Sequence, residues 1–215
     1  MAAMNEAVAL VEQAARAIAL AEAGDVEALR ARIPALLEVT GRFGARWNLV
    51  GDASPLGVVR EHVIETMSLA ACAGGAQPTR VVDVGAGAGL ELLVLLLLWP
   101  EARGLAVEPR RKRTDFLEIA AAGVGVGRRL EVVRARLGEP GCPTLDGAFE
   151  LATSRATFAP DRWLTLGAPL CSPTGRVAAH LPAGETVTPP IGWVETARRA
   201  VWGRADHEVV LFGRA

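Results

Sequence analysis

Three alternate glycines, Gly85, Gly87 and Gly89, follow a short apolar run that ends in an acid, Asp83, within the stretch RVVDVGAGAGLELL. Glycine lets the backbone adopt positive φ, and it lets a ligand approach without meeting a Cβ atom. A second acid, Glu108, closes the next β-rich run, at about the twenty-residue distance at which a carboxylate meets ribose hydroxyls. Because a carboxylate can accept two hydroxyl donors at once, these residues predict a nucleoside-binding turn between a strand and a helix.

The spacing of the glycines discriminates between cofactors. The dinucleotide fingerprint GxGxxG needs its third glycine at the position of Leu90, so the match fails and an NAD-dependent oxidoreductase is the weakest candidate. An acid followed by glycines at every second position resembles the S-adenosylmethionine (SAM) site of class I methyltransferases. That cofactor has a nucleoside, a sulfonium, an ammonium and a carboxylate but no pyrophosphate, which suits a tight turn without a phosphate nest.

Alternating elements must position this turn. A helical pattern extends to about Trp47, and from Thr79 onward short β-rich runs alternate with helical stretches. The predicted strands are TRVVDV, GLAVE, RLEVVRA, FELATS and GRVAAHL. This order predicts an α/β fold with a doubly wound parallel sheet, and the last residues predict an antiparallel hairpin that turns at GRAD. We predict an N-terminal helical element over residues 1–50 and a sheet domain over residues 51–215.

The composition excludes several classes of protein. The chain has 215 residues, of which 51% are hydrophobic, and a net charge of −1, so it is globular and has no overall attraction to nucleic acid. Its acidic, alanine-rich start and the shortness of its apolar runs predict no signal peptide and no membrane span, hence a cytoplasmic protein. The three cysteines lack metal-site spacing, and no second ligand type is spaced near His180 or His207, so we expect no metal. His62, a lone histidine in a helical stretch, is also expected to be structural, as are His180 and His207.

Seven stretches together resemble, in order, the successive motifs of the RsmG/GidB family, bacterial methyltransferases of the N7 atom of a guanine in 16S ribosomal RNA. These stretches are RWNLVGD, REHVIETMSLA, DVGAGAGL, EPRRKRTDFLE, VVRARLGE, FELATSRATF and CSPTGRVAAHL. The resemblance covers Phe43 to Leu181. It implies the class I SAM-dependent (Rossmann-like) fold, S-adenosyl-L-methionine as cofactor, and 16S ribosomal RNA or the 30S subunit as partner of a monomeric enzyme.

The resemblance also implies the roles of single residues. The cofactor contacts of the family fall on the glycine turn, on the residues after the third strand and on the arginine of TSRA. With the acids, the predicted cofactor-binding set is Asp83, Gly85, Gly87, Gly89, Leu90, Glu108, Leu137, Gly138 and Arg155. No catalytic acid or base is predicted, because guanine N7 has an in-plane lone pair and no proton to lose.

A basic segment is the candidate RNA-binding surface. Between Arg103 and Arg136 there are nine basic residues and four acids, a local excess that suits RNA phosphates. Arg111, Lys112 and Arg113 are the predicted RNA-binding residues. The alternative is that these charges form an ordinary solvated helix face.

The chain departs from the family pattern near the predicted pocket. Glu91 and Leu92 replace a proline and a glycine, Val94 replaces another proline, Gly138 replaces an acid and Leu181 replaces a lysine. Two alternatives to ribosomal RNA methylation therefore stay open. One is a SAM-dependent methyltransferase that acts on a small molecule, and the other is a non-catalytic relative that binds RNA.

Overall fold

The computed structural model describes residues 1–75, 77–140 and 142–215. The helices are α1 (Ala2–Ala17), α2 (Val26–Trp47), α3 (Pro55–Val58), α4 (Ile64–Ala73), α5 (Leu90–Leu98), α6 (Arg111–Val124) and α7 (Pro160–Gly167). A π-helical turn, Val59–Val63, joins α3 to α4. The strands are β1 (Arg80–Val84), β2 (Arg103–Val107), β3 (Leu130–Val133), β4 (Phe149–Thr153), β5 (Cys171–Pro182), β6 (Trp193–Val201) and β7 (Arg204–Arg214).

The strands form one sheet in the order β3-β2-β1-β4-β5-β7-β6. The five strands from β1 to β5 are parallel, while β7 pairs antiparallel with both β5 and β6. The predicted parallel sheet with a terminal antiparallel hairpin is confirmed. The hairpin reverses at Trp202 and Gly203, at the start of the predicted GRAD turn.

Helices cover both faces of the sheet, and strand residues alternate between the two cores. Val81 on β1 and Ala178 on β5 belong to the core beneath helices α1, α2 and α4 to α6. Their neighbours Val82 and Val177 belong to the opposite core, with Trp163 of α7. Side chains two positions apart on a strand therefore face the same helices, which determines where each polar residue of β1 and β5 points.

Helix α5 lies in the middle of the larger core, and each of its nine residues is buried. A helix that is apolar on every side must be covered on every side. Arg129 connects the last turn of this helix to the loop after it, because its guanidinium donates hydrogen bonds of 2.7 to 3.1 Å to the oxygens of Leu96 in α5 and of Trp99 and Ala102 beyond its end. Glu91 in the first turn is the one charged side chain of this helix.

Helices α2 and α6 pack antiparallel beside the glycine turn. Phe43 near the end of α2 contacts Phe116 in the first half of α6, with 6.3 Å between ring centroids, while Arg32 in α2 lies against Gly125 at the end of α6. The C-terminus of α2 and the N-terminus of α6 therefore meet at the same end of the sheet. The division at residue 50 stays a prediction. Within the described residues, no helix is long and apolar enough to cross a membrane.

Candidate functional site

A cavity of about 230 Å³ opens where β1 and β4 end and α5 begins. It is lined by Leu49, Val50, His62, Asp83, Gly85, Ala86, Gly87, Ala88, Gly89, Leu90, Glu91, Arg113, Arg155, Ala156 and Thr157. The structure therefore brings together the predicted acid of β1, all three glycines, Leu90 and Arg155. The carboxyl ends of parallel strands are where α/β folds bind ligands.

A second cavity, of about 350 Å³, adjoins the first and shares Gly85 and Thr157 with it. It is lined by the ends of β1 and β2 and by the loop after β3, including Val107, Pro109 and Leu137. Gly138 lines a further cavity, next to Leu137. An elongated ligand can thus extend from the glycine turn across the end of β2 toward Leu137.

The three glycines of the turn differ in what a side chain at each position would meet. All have positive φ, between 60° and 73°. A Cβ atom on Gly85 would lie 2.3 Å from Thr157 Oγ1, and one on Gly89 would lie 1.8 Å from a methyl group of Leu117. A Cβ atom on Gly87 would have no protein atom closer than 3.5 Å and would project toward the cavity. Glycine at positions 85 and 89 is therefore required by the packing of the turn, whereas glycine at position 87 leaves open space in the cavity wall.

Glu108 connects β2 to the glycine turn. Its carboxylate accepts a hydrogen bond of 3.0 Å from the amide of Gly87 and one of 2.8 Å from the amide of Arg110, and the Arg113 guanidinium is 3.7 Å away. The side chain is 2% exposed. Each oxygen keeps a further lone pair, so the carboxylate is held in place and can still accept hydroxyl donors.

Asp83 is buried on the α5 side of β1, at the bottom of the first cavity. Burial raises the pKa of its carboxyl group well above the usual value, and the nearby Glu91 carboxylate raises it further. A positively charged group in the cavity would oppose both effects. Asp83 is therefore suited to receive a cation.

Arg155 is held at the end of β4. The hydroxyl group of Ser154 donates a hydrogen bond of 2.6 Å to the carbonyl of Val84 and fixes the strand end to β1. The Arg155 guanidinium lies 3.7 Å from Glu65 without a hydrogen bond to it, and it lines the cavity. Its planar donors remain suited to a carboxylate or a phosphate.

A buried ionic cluster behind the cavity was missed by the sequence analysis. His180 on β5 lies between Glu65 of α4 and Glu91 of α5, with Nδ1 to Oε1 and Nε2 to Oε2 distances of 2.7 and 3.0 Å. The second contact is close but poorly aligned for a hydrogen bond, so it is mainly ionic. Burial lowers the pKa of His180, but the two carboxylates outweigh it and raise the pKa to about 10, so the ring is protonated at neutral pH.

His62 lines the cavity, although the sequence alone suggested a structural role. Burial lowers its pKa to about 4, and the positive charge of Arg155 contributes. The ring is therefore neutral at physiological pH. Its Nε2 atom is buried without a hydrogen-bond partner among the described residues.

The predicted RNA-binding residues divide into two groups. Arg111 and Lys112 are exposed at the start of α6, and the Arg111 guanidinium lies 3.7 Å from Asp115. Arg113 instead lines the cavity beside Glu108. Since α2 ends where α6 begins, the exposed Arg42 of α2 belongs to the same end of the molecule as Arg111 and Lys112.

Solved structures share this fold. The mitomycin 7-O-methyltransferase MmcR is 17% identical to this chain, with a TM-score of 0.61 over 84% of this chain and 60% of that one. The O-methyltransferase TomG from Streptomyces achromogenes, solved in complex with SAM, is also 17% identical, with a TM-score of 0.52 over 84% of this chain and 89% of that one. The fold is thus that of class I methyltransferases, as predicted.

Relatives in sequence indicate the family more narrowly than the solved structures do. A protein named ribosomal RNA small subunit methyltransferase G from Nocardioides sp. is 38% identical over 62% of this chain and 50% of its own length. A protein of the same name from Mycobacterium avium is 30% identical over 82% of this chain and 69% of its own length. The chain spans about half the length of several curated relatives that it matches.

The family model described as rRNA small subunit methyltransferase G, or GidB, matches residues 30–181. The match extends from α2 to the end of β5 and includes the glycine turn, Glu108, Arg155 and the α2–α6 contact. The predicted resemblance is confirmed, and the chain belongs to the GidB family.

Proposed function

We propose that this protein is a SAM-dependent methyltransferase that acts on the N7 atom of a guanine in 16S ribosomal RNA, in the cytoplasm. The observation that carries the proposal is the glycine turn, in which Gly87 leaves a space that any Cβ atom would fill while Glu108 anchors its amide. Membership of the GidB family supports the RNA substrate.

The residues present fit the cofactor. Asp83 would receive its ammonium group, Arg155 its carboxylate and Glu108 its ribose hydroxyls, with Leu137 beside the nucleoside base. Asp83 and Arg155 line the first cavity and Leu137 lines the adjoining one. Glu108 lines neither cavity but is hydrogen-bonded to the amide of Gly87 in the wall of the first. When bound, the cofactor supplies an electrophilic methyl group on its sulfonium.

The protein's contribution to this reaction is alignment. Guanine N7 presents a lone pair and loses no proton, so the site needs no general base, and effective concentration and orientation supply the rate. The neutral His62 in the cavity wall can hydrogen-bond to a base edge without adding charge. Exposed Arg111 and Lys112 at the cavity end of α6 are suited to RNA phosphates.

The test is transfer of labelled methyl groups to 30S subunits from cells that lack their own guanine-N7 methyltransferase. We expect label in 16S ribosomal RNA and strand scission at one guanine after borohydride reduction and aniline treatment, which is specific for N7-methylguanine. Label without scission would refute N7 as the target. Binding of S-adenosylhomocysteine without any transfer to RNA would refute the ribosomal substrate.

A small-molecule substrate is the second candidate, and Glu91 favours it. The family has a proline at this position, whereas this chain places a buried carboxylate in the cavity wall, next to Thr153 at the end of β4. A carboxylate can accept the proton of an amine or hydroxyl nucleophile, which guanine N7 does not require. Methyl transfer to small amines or phenols, with no transfer to 30S subunits, would support this candidate instead.

The non-catalytic alternative is tested by calorimetry. The proposed enzyme releases or absorbs heat on binding SAM and S-adenosylhomocysteine. If neither ligand binds while 16S ribosomal RNA does, the protein is an RNA-binding relative and the enzyme proposal is wrong.

A further inference from the structure

The buried ionic cluster behind the cavity connects three elements. His180 on β5 contacts Glu65 of α4 and Glu91 of α5, and these three side chains are 8%, 4% and 5% exposed. Burying charges is costly unless each is paired in good geometry, and a cluster of this kind does not in itself raise stability above that of an apolar core.

The cluster reaches the cavity through two side chains. Glu91 itself lines the cavity, and its other carboxylate oxygen is hydrogen-bonded by the hydroxyl of Thr153. Glu65 lies 3.7 Å from Arg155, which also lines the cavity. His180 does not line the cavity but contacts one wall residue directly and reaches the other through a single carboxylate.

Glu65 has three cationic neighbours, and His180 is one of them. Its carboxylate faces three cations, since it accepts hydrogen bonds from His180 and, at 3.1 Å, from Arg204 of the terminal hairpin, and it lies near Arg155. Because His180 and Arg204 are the closer partners, Arg155 is held only weakly and keeps its donors for the cavity.

We propose that His180 is a positioning residue of this cavity, which holds Glu91 in the wall directly and leaves Arg155 free for a ligand by satisfying Glu65. The inference rests on the proposed function, in which the cavity binds SAM. Without the imidazolium ring, the buried Glu91 carboxylate loses the cation that contacts it, and Glu65 draws Arg155 toward itself and away from the ligand.

The test compares four variants by calorimetry with S-adenosylhomocysteine and by urea denaturation. They are His180→Gln, Glu91→Gln, the double variant Glu91→Gln/His180→Gln, and the control Glu208→Gln, which breaks a 2.6 Å ion pair with Arg198 in the hairpin. Glutamine at position 180 keeps a hydrogen-bond donor but loses the charge. We expect His180→Gln to weaken S-adenosylhomocysteine binding about ten-fold or more. The double variant should recover at least half of that loss on a logarithmic scale, and Glu208→Gln should bind as the wild type does.

The recovery distinguishes positioning from a merely structural role. If His180 only supports folding, then the single and double variants lose stability, but those still folded at 15 °C bind with wild-type affinity, and the proposal is overturned. Losses that simply add in the double variant also overturn it, since they show no coupling between the two side chains. A wild-type protein that gives no heat refutes the proposed function itself, whereas wild-type binding alongside unaffected variants refutes only the role of His180.

Discussion

Replacing Gly87 by alanine separates the ligand-facing glycine from the packing glycines. Gly87 has φ of 60°, and a Cβ atom there would lie 3.5 Å from Arg113 and 3.8 Å from the carbonyl oxygen of Gly85, which are ordinary contacts. The cost to folding is therefore only that of a left-handed backbone with a side chain, about 1–2 kcal/mol. For a domain of this size each kcal/mol lowers the melting temperature by about 2–4 °C.

The effect on ligand binding is expected to be larger than the effect on folding alone would produce. The new methyl group would occupy cavity space near Glu108, and overpacking of this kind costs about 1–3 kcal/mol, which is a loss of roughly five- to 150-fold in affinity. Calorimetry with S-adenosylhomocysteine measures the affinity, and urea denaturation measures the stability of the same sample.

Gly184 provides the matched control. It has φ of 76°, a Cβ atom there would have nothing within 4 Å, and it lines neither of the two adjoining cavities, so Gly184→Ala has the same backbone cost without adding a group to them. We expect the two variants to lose similar stability and only Gly87→Ala to lose affinity. Wild-type affinity in Gly87→Ala would refute the assignment of this glycine to the ligand.

Three further predictions follow from exposed and buried charges. Replacing Arg111 and Lys112 by glutamine should weaken binding to 16S ribosomal RNA and reduce, by about 2, the slope of log affinity against log salt concentration in filter binding, with unchanged S-adenosylhomocysteine affinity. Arg113→Gln should instead weaken S-adenosylhomocysteine binding, because Arg113 lines the cavity. Arg129→Gln should cost about 1.5–3 kcal/mol in urea denaturation without changing the salt slope, because its guanidinium is engaged by carbonyl groups at the end of α5. The pKa of His180 is raised from 6.5 to about 10, so the folded state keeps a proton that the unfolded state loses, and the unfolding free energy should fall as pH rises from 6.5 to 10. The Glu91→Gln/His180→Gln double variant should flatten that decline, and an equal slope in both proteins would contradict it.

Local patterns in the sequence predicted the fold class but not the full order of the strands. The alternation of short β-rich runs with helix-length stretches predicted the parallel strands, because each buried strand and crossover helix has its own periodicity. The order of β7 between β5 and β6 was not predicted, since pairing between distant strands depends on long-range packing and not on local pattern.

The candidate site was predicted in part. Asp83, the glycines, Leu90 and Arg155 line one cavity, because the carboxyl ends of parallel strands meet at one edge of a sheet. The sequence did not distinguish the three glycines from one another, since their spacing is regular while their surroundings in the fold differ. Only packing shows that Gly89 faces Leu117 and that Gly87 faces the cavity.

By itself the sequence determined the fold class, the glycine turn at the end of β1 and the family, because these depend on residue types at short spacing. Only the tertiary structure decided which charges act together. Glu65, Glu91 and His180 are up to 115 residues apart, yet α4, α5 and β5 bring both carboxylates within 3.0 Å of the His180 ring in a core where an unpaired charge would be costly. Such pairings arise from long-range contacts. The sequence therefore predicted only a structural role for His180, whereas the fold places it at the centre of the buried ionic cluster behind the cavity.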